Sequence, residues 1–189
     1  MRNSLLTLAT ALLMVACSAP APTVSAPYTV VITAANQLNP DRNGQPTPVE
    51  VRVYRLKGIT AFNNSDFFGL YDNDAQLLAS ELVSKEAFML QPGEAKVLTG
   101  KASNEERALG VFVGYRELDM AVWRGVAPLP APKEVGRFSV FNPTFESSYI
   151  KVDVGPNKLA VSSNVVQVPV PTGSAPSLPS APGGIRLPF

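Results

Sequence analysis

The chain has 189 residues, with 16 Lys and Arg against 15 Asp and Glu, a formal net charge of +1 and no histidine. Balanced charge removes the basic face on which nucleic-acid binding rests, and the lack of histidine removes the commonest general base and the commonest metal ligand. A single cysteine has no partner within the chain, so the fold must rest on an ordinary hydrophobic core rather than on disulfides.

Residues 1–16 read as a secretory signal: Arg2, then an uncharged apolar stretch from Leu5 to Ala16. That stretch of 12 residues is shorter than the about 20 a spanning helix needs, and Pro20 and Pro22 follow it closely. Cys17 stands where the mature chain would begin, which reads as a lipobox. Ala16 before it fits, while Met14 occupies a place where Leu or Val is usual. Acyl chains on Cys17 would tie the protein to a bilayer, each buried methylene contributing about 0.8 kcal/mol. Ser18 is not the aspartate that retains many lipoproteins in the inner membrane, so the expected location is the outer membrane, with the body facing the periplasm. Residues 17–27 are then the lipidated cysteine and a linker, SAPAPTVSAP, and ten proline-rich residues span roughly 30 Å.

The folded body is expected over residues 28–163, and its dominant signal is period-two alternation. Tyr28, Val30 and Ile32 share one face of a first strand. Val49, Val51 and Val53 oppose Glu50, Arg52 and Tyr54 in a second. The segment Ser65–Leu82 breaks the pattern with helical spacing, with Ser65 as N-cap, Asp66 in the first turn and Leu77, Leu78 and Leu82 on one buried face. Phe88–Leu90 and Lys96–Thr99 flank Gln91–Glu94, where Pro92 then Gly93 suits a type II turn. Ala108–Tyr115 is nearly all apolar and reads as a central strand, with Ala121–Val126 as its partner. Phe138–Phe141 adds a strand. Ile150, Val152 and Val154 lead through Gly155–Lys158 into a hairpin with Leu159–Ser162. About eight strands, one or two short helices and regular turn signals predict a two-sheet β-sandwich. Residues 164–189 carry six prolines and one charge, Arg186. That composition builds no core of its own and predicts a disordered tail.

Chemistry is sparse. No Ser/His/Asp arrangement exists without histidine, and acylation would occupy the cysteine. Asp72-Asn73-Asp74 starts like a calcium loop but lacks its glycine and glutamate, so a solvated turn with a helix cap is the better account. Glu117 and Asp119 are spaced like paired carboxylates and read as surface charge. Trp123 beside Arg124 reads as a core tryptophan next to an exposed cation. No catalysis, cofactor, metal or small-molecule substrate is expected, apart from covalent lipid on Cys17. The connection Asn36–Pro48 stands out, because its 13 residues far exceed the two to five of an ordinary hairpin. Three prolines and Asn43-Gly44 stiffen it, and stiff loops on rigid scaffolds often carry binding. A passive crossover between two sheets explains its length equally well.

The stretches LNPDRNGQPTPVEVRVYRLK from Leu38, FNNSDFFGLYDND from Phe62, LQPGE from Leu90 and LGVFVGYRELDMAVWR from Leu109 resemble the TssJ family, the outer-membrane lipoproteins of type VI secretion. With the lipobox, the resemblance covers most of residues 1–126, and the proline-rich tail lies outside it. It implies a transthyretin-like β-sandwich with added helical and loop elements, and no enzymatic activity. It implies a partner, the periplasmic C-terminal region of the inner-membrane protein TssM, which forms an envelope-spanning complex with TssL. Family members use the loop between the first two strands to bind TssM. Carried over, the contact residues are Leu38, Asn39, Pro40, Asp41, Arg42, Asn43 and Gly44. The alternative is a pilotin-like lipoprotein that escorts a pore subunit of another secretion system.

Overall fold

The computed structural model describes residues 23–134 and 144–169. Two four-stranded sheets carry the fold. We label the strands β1 (Thr23–Val24), β2 (Ala26–Ala34), β3 (Val49–Leu56), β4 (Leu82–Leu90), β5 (Ala95–Ala102), β6 (Ala108–Val113), β7 (Arg124–Pro128), β8 (Lys133–Glu134), β9 (Thr144–Val154) and β10 (Leu159–Pro169), with helices α1 (Thr60–Asn64) and α2 (Phe67–Leu77) between β3 and β4. One sheet has the order β10-β9-β2-β5, the other β4-β3-β6-β7, and β1 pairs with β8. Among the described strands, every pairing is antiparallel except β2 with β9, and an isolated parallel bridge joins Val122 to Lys158.

Alternation places the core. Val30 and Ile32 of β2 and Ile150 and Val152 of β9 meet Val49, Val51 and Val53 of β3 and Val111 and Val113 of β6 between the sheets. Strand β6 is buried along its whole length, because its second face is covered too. Tyr54, Leu56 and Phe112 point away from the sandwich into a smaller core with Phe62, Leu70 and Leu78 of the helical segment. A continuous apolar run is what a strand covered on both faces requires.

A polar clamp fixes the helices to that outer face. Asn73 has a non-helical φ of −134° inside α2, and Arg52 donates to the Leu70 and Tyr71 carbonyls beside the kink at 3.0 and 2.9 Å. Asp74 is 6% exposed and accepts from Tyr54 Oη at 2.8 Å and from Lys85 Nζ at 2.9 Å. Burial alone would raise its pKa, yet the hydrogen bonds from Lys85 and Tyr54 and the charges of Lys85 and Arg52 hold it below the ordinary 3.8. Asp72–Asp74 is therefore part of a kinked helix and a buried anchor, not the expected solvated turn.

Other expectations shift. Asp66, not Ser65, caps α2, accepting from the Gly69 amide at 2.7 Å. The helix stops at Leu77, which is exposed, and Leu82 opens β4 instead of extending the helix. The partner of β6 begins at Arg124 and runs to Pro128. Strand β10 crosses the expected boundary at Ser163, since Asn164–Pro169 pair with Thr144–Tyr149 of a longer β9. A proline is tolerated at the end of an edge strand. At the other boundary, Ala26 and Pro27 already pair with Ala102 and Lys101. Cys17, the signal, the strand expected at Phe138–Phe141 and the tail beyond Pro169 lie outside the described residues.

Candidate interaction site

Strand direction gathers four connections at one end of the sandwich. Strand β2 leaves there, β3 enters, β4 turns into β5, β6 leaves and β9 turns into β10. The long connection Asn36–Pro48 therefore carries the chain from one sheet to the other across this end. The Gln91–Glu94 turn abuts its start, with the Gly93 amide donating to Ala35 O at 3.2 Å and Gly93 at φ +75°.

Asn39 is the hub. It has a φ of +43°, a region that asparagine enters more readily than other side chains with a Cβ. Its side-chain Nδ2 donates to Thr47 Oγ1 and Pro48 O, both at 3.1 Å. Its Oδ1 accepts from the Arg116 amide beyond β6 at 2.9 Å, and its own amide donates to Pro156 O in the β9–β10 turn at 3.0 Å. One residue thus ties three connections together, two through its side chain and the third through its backbone amide. Leu38 beside it is fully buried in the inter-sheet core.

Beyond Asn39 the tip folds on itself. The Asp41 carboxylate accepts from the amides of Asn43 and Gln45 at 2.8 and 2.9 Å, while the Asp41 amide donates to Gln45 O and the Gly44 amide to Asp41 O. The hydrogen bond from the Gln45 backbone, chiefly, lowers the Asp41 pKa below 3.8. Gly44 sits at φ +76°, where any side chain would be strained. Arg42, Asn43 and Gly44 are exposed, and Pro40 and Asp41 are half-buried.

The seven residues singled out from sequence therefore divide by role. Leu38 and Asn39 face inward and support the loop, Asp41 braces its tip, and Pro40, Arg42, Asn43 and Gly44 offer surface. The sequence reading missed the neighbours. Tyr115, Glu117, Pro156 and Asn157 join Asn39 and Pro40 around a cavity of about 160 Å³. Burial pushes the Tyr115 hydroxyl up, and it donates to Gly155 O at 3.2 Å. Gly155-Pro156-Asn157-Lys158 had been legible as a turn, but nothing in sequence places it against Asn39.

The sequence profile of the type VI secretion lipoproteins (VasD, EvfM, TssJ) matches residues 26–157. The chain belongs to this family. Among solved structures, the type VI lipoprotein TssJ1 from Pseudomonas aeruginosa is 30% identical, with a TM-score of 0.62 over 78% of this chain and 100% of that one. Lip from Serratia marcescens, a membrane-bound component of the type VI secretion system, is also 30% identical, with a TM-score of 0.61 over 72% of this chain and 97% of its own. A chain in the structure described as the TssM C-terminal domain from EAEC shares the fold at 23% identity, with a TM-score of 0.56 over 71% of this chain and 99% of that one. No match was found among curated proteins. The match to this lipoprotein family includes the whole Asn36–Pro48 connection, the helical insert and the β9–β10 turn as far as Asn157.

Proposed function

We propose that this lipoprotein is an outer-membrane anchor of the type VI secretion membrane complex. Acyl chains on Cys17 hold the outer membrane, the linker that follows gives reach into the periplasm, and the loop end of the sandwich grips the periplasmic C-terminal region of TssM, which acts with TssL. The protein transmits force and performs no chemistry.

One observation carries this reading. The chain enters β2 at Ala26 and reaches the loop after Ala34, so the anchor side and the loop side are opposite ends of one strand. Nine extended residues separate them by roughly 30 Å. A protein held by its amino terminus would therefore present Arg42, Asn43 and Gly44 away from the membrane that holds it. A rigid tip, braced by Asp41 and Asn39, loses little freedom on binding.

The test is titration calorimetry of the lipoprotein, purified in detergent, against the TssM periplasmic C-terminal fragment. Wild type should bind at micromolar concentration or tighter. Arg42→Glu with Asn43→Ala should weaken binding at least tenfold without changing the melting temperature. Binding that is unaffected by the tip would move the interface elsewhere. Absence of wild-type binding would favour the pilotin-like alternative, checked with a pore-subunit tail.

A further inference from the structure

The cavity beside the loop adds a second element to this surface. It is lined by Pro40, Tyr115 and Pro156, with Asn39, Asn157 and Glu117 completing the lining, and the lining is mostly apolar. The Asn39 amide group is already engaged at both atoms. Pro156 and Pro40 are held in place through the Asn39 backbone, whose amide donates to Pro156 O. The cavity is thus preformed, and its volume suits one long side chain rather than a free ligand, since small-molecule sites usually span about 300–1,000 Å³.

Glu117 gives the cavity a sign. It is the one charged residue of the lining. Among the described residues its carboxylate makes no ion pair and accepts no hydrogen bond. Asp119 stands two residues further along the same exposed connection. Nearby Met120 is 86% exposed, and flexible methionines are common on binding surfaces. Apolar walls with a carboxylate that is unpaired among the described residues complement a side chain with an apolar stem and a cationic head.

We infer that this cavity is the socket for a lysine or arginine side chain of the TssM periplasmic region. The stem lies against Pro40, Tyr115 and Pro156, and the head pairs with Glu117. The inference rests on the proposed TssM reading and names a contact that the loop tip alone does not supply.

The experiment compares four forms of the full lipoprotein, purified in detergent, against the TssM periplasmic C-terminal fragment: wild type, Glu117→Lys, Asn157→Trp and Arg42→Glu. Glu117 and Asn157 are exposed, so both pocket variants should keep the wild-type melting temperature. Glu117→Lys should raise Kd about tenfold or more at low salt, and the difference should shrink at high salt as the charges are screened. Asn157→Trp, which adds bulk to the cavity lining, should raise Kd about tenfold at either salt concentration. If Asn157→Trp weakens binding and Glu117→Lys does not, the occupant is apolar and the cationic assignment is overturned. If only Arg42→Glu weakens binding, the socket is unused, while the TssM reading stands. If wild type does not bind, the TssM reading fails and the socket falls with it.

Discussion

Replacing Asn39 tests whether one side chain holds the loop end together. Asn39→Ala removes three hydrogen bonds, to Thr47 Oγ1, to Pro48 O and from the Arg116 amide. Each contributes about 1 kcal/mol net, and the Arg116 amide and Pro48 carbonyl lose their partner in a part-buried site, so the loss is about 3 kcal/mol. Alanine at φ +43° adds about 1 kcal/mol, because its Cβ crowds the carbonyl in the left-handed region. Asn39→Gly removes the same bonds but accepts the backbone, so it should be less destabilising than alanine. The assay is urea unfolding of all three proteins, with amide hydrogen exchange at Arg116 as the local reading. Alanine should cost about 4 kcal/mol and glycine about 3 kcal/mol, with faster exchange at Arg116 in both. Variants within about 0.5 kcal/mol of wild type, the scale of an ordinary surface change, with unchanged exchange would refute the hub.

Other sites give independent checks. Asp74 has a lowered pKa in the folded chain, so its contribution to stability is present above its unfolded value and is lost as pH falls through the folded value. The melting temperature of wild type should therefore fall below about pH 4 more steeply than that of Asp74→Asn, and parallel curves would remove Asp74 from the acid response. Gly100 lies under the Tyr28 ring, and an added Cβ would collide with Tyr28 Cζ and Oη. Gly100→Val should therefore destabilise by about 1–3 kcal/mol in thermal unfolding, and a neutral result would show that Tyr28 swings aside freely. A chain ended at Val165 loses the pairs from Val166↔Ser147 to Pro169↔Thr144. It should melt several degrees lower by circular dichroism, at roughly 3 °C per kcal/mol for a domain of this size. An unchanged melting temperature would show that the end of β10 adds nothing.

Much of the fold was legible because burial imposes a period. Val49–Leu56 was read to the residue, since Val49, Val51 and Val53 alternate with polar neighbours, and β6 was read from its unbroken apolar run. Strand β4 was seen only at its end. Its inward positions include Ser84 and Glu86, which line an open edge between the sheets, so apolar alternation is absent there. The helix cap was displaced by one residue, because Ser65 and Asp66 are both good caps and only the backbone decides between them. The tail boundary fell too early at Ser163, because a proline count says nothing of the backbone pairing that β9 offers.

The interaction site was half legible. Length, prolines and Asn43-Gly44 marked the loop, and the turn chemistry is where it was expected, with Gly44 at positive φ. Which of its residues face outward was not readable. Leu38 is a single apolar residue without periodic context, and Asn39 looks like any exposed loop asparagine until Arg116 and Pro156 are brought to it from 77 and 117 positions away (116 − 39 and 156 − 39). The cavity depends on the same long-range convergence, so no local pattern announces it.

Site-specific photo-crosslinking in intact cells tests the orientation of the anchored protein most directly. A crosslinker replaces Arg42 at the loop tip or, separately, Lys101, which is exposed and pairs with Pro27 at the anchor end. The Arg42 position should capture TssM, and the Lys101 position should not. Capture from Lys101 with none from Arg42 would mean that the loop end points back at the membrane, and the proposed tether would be wrong.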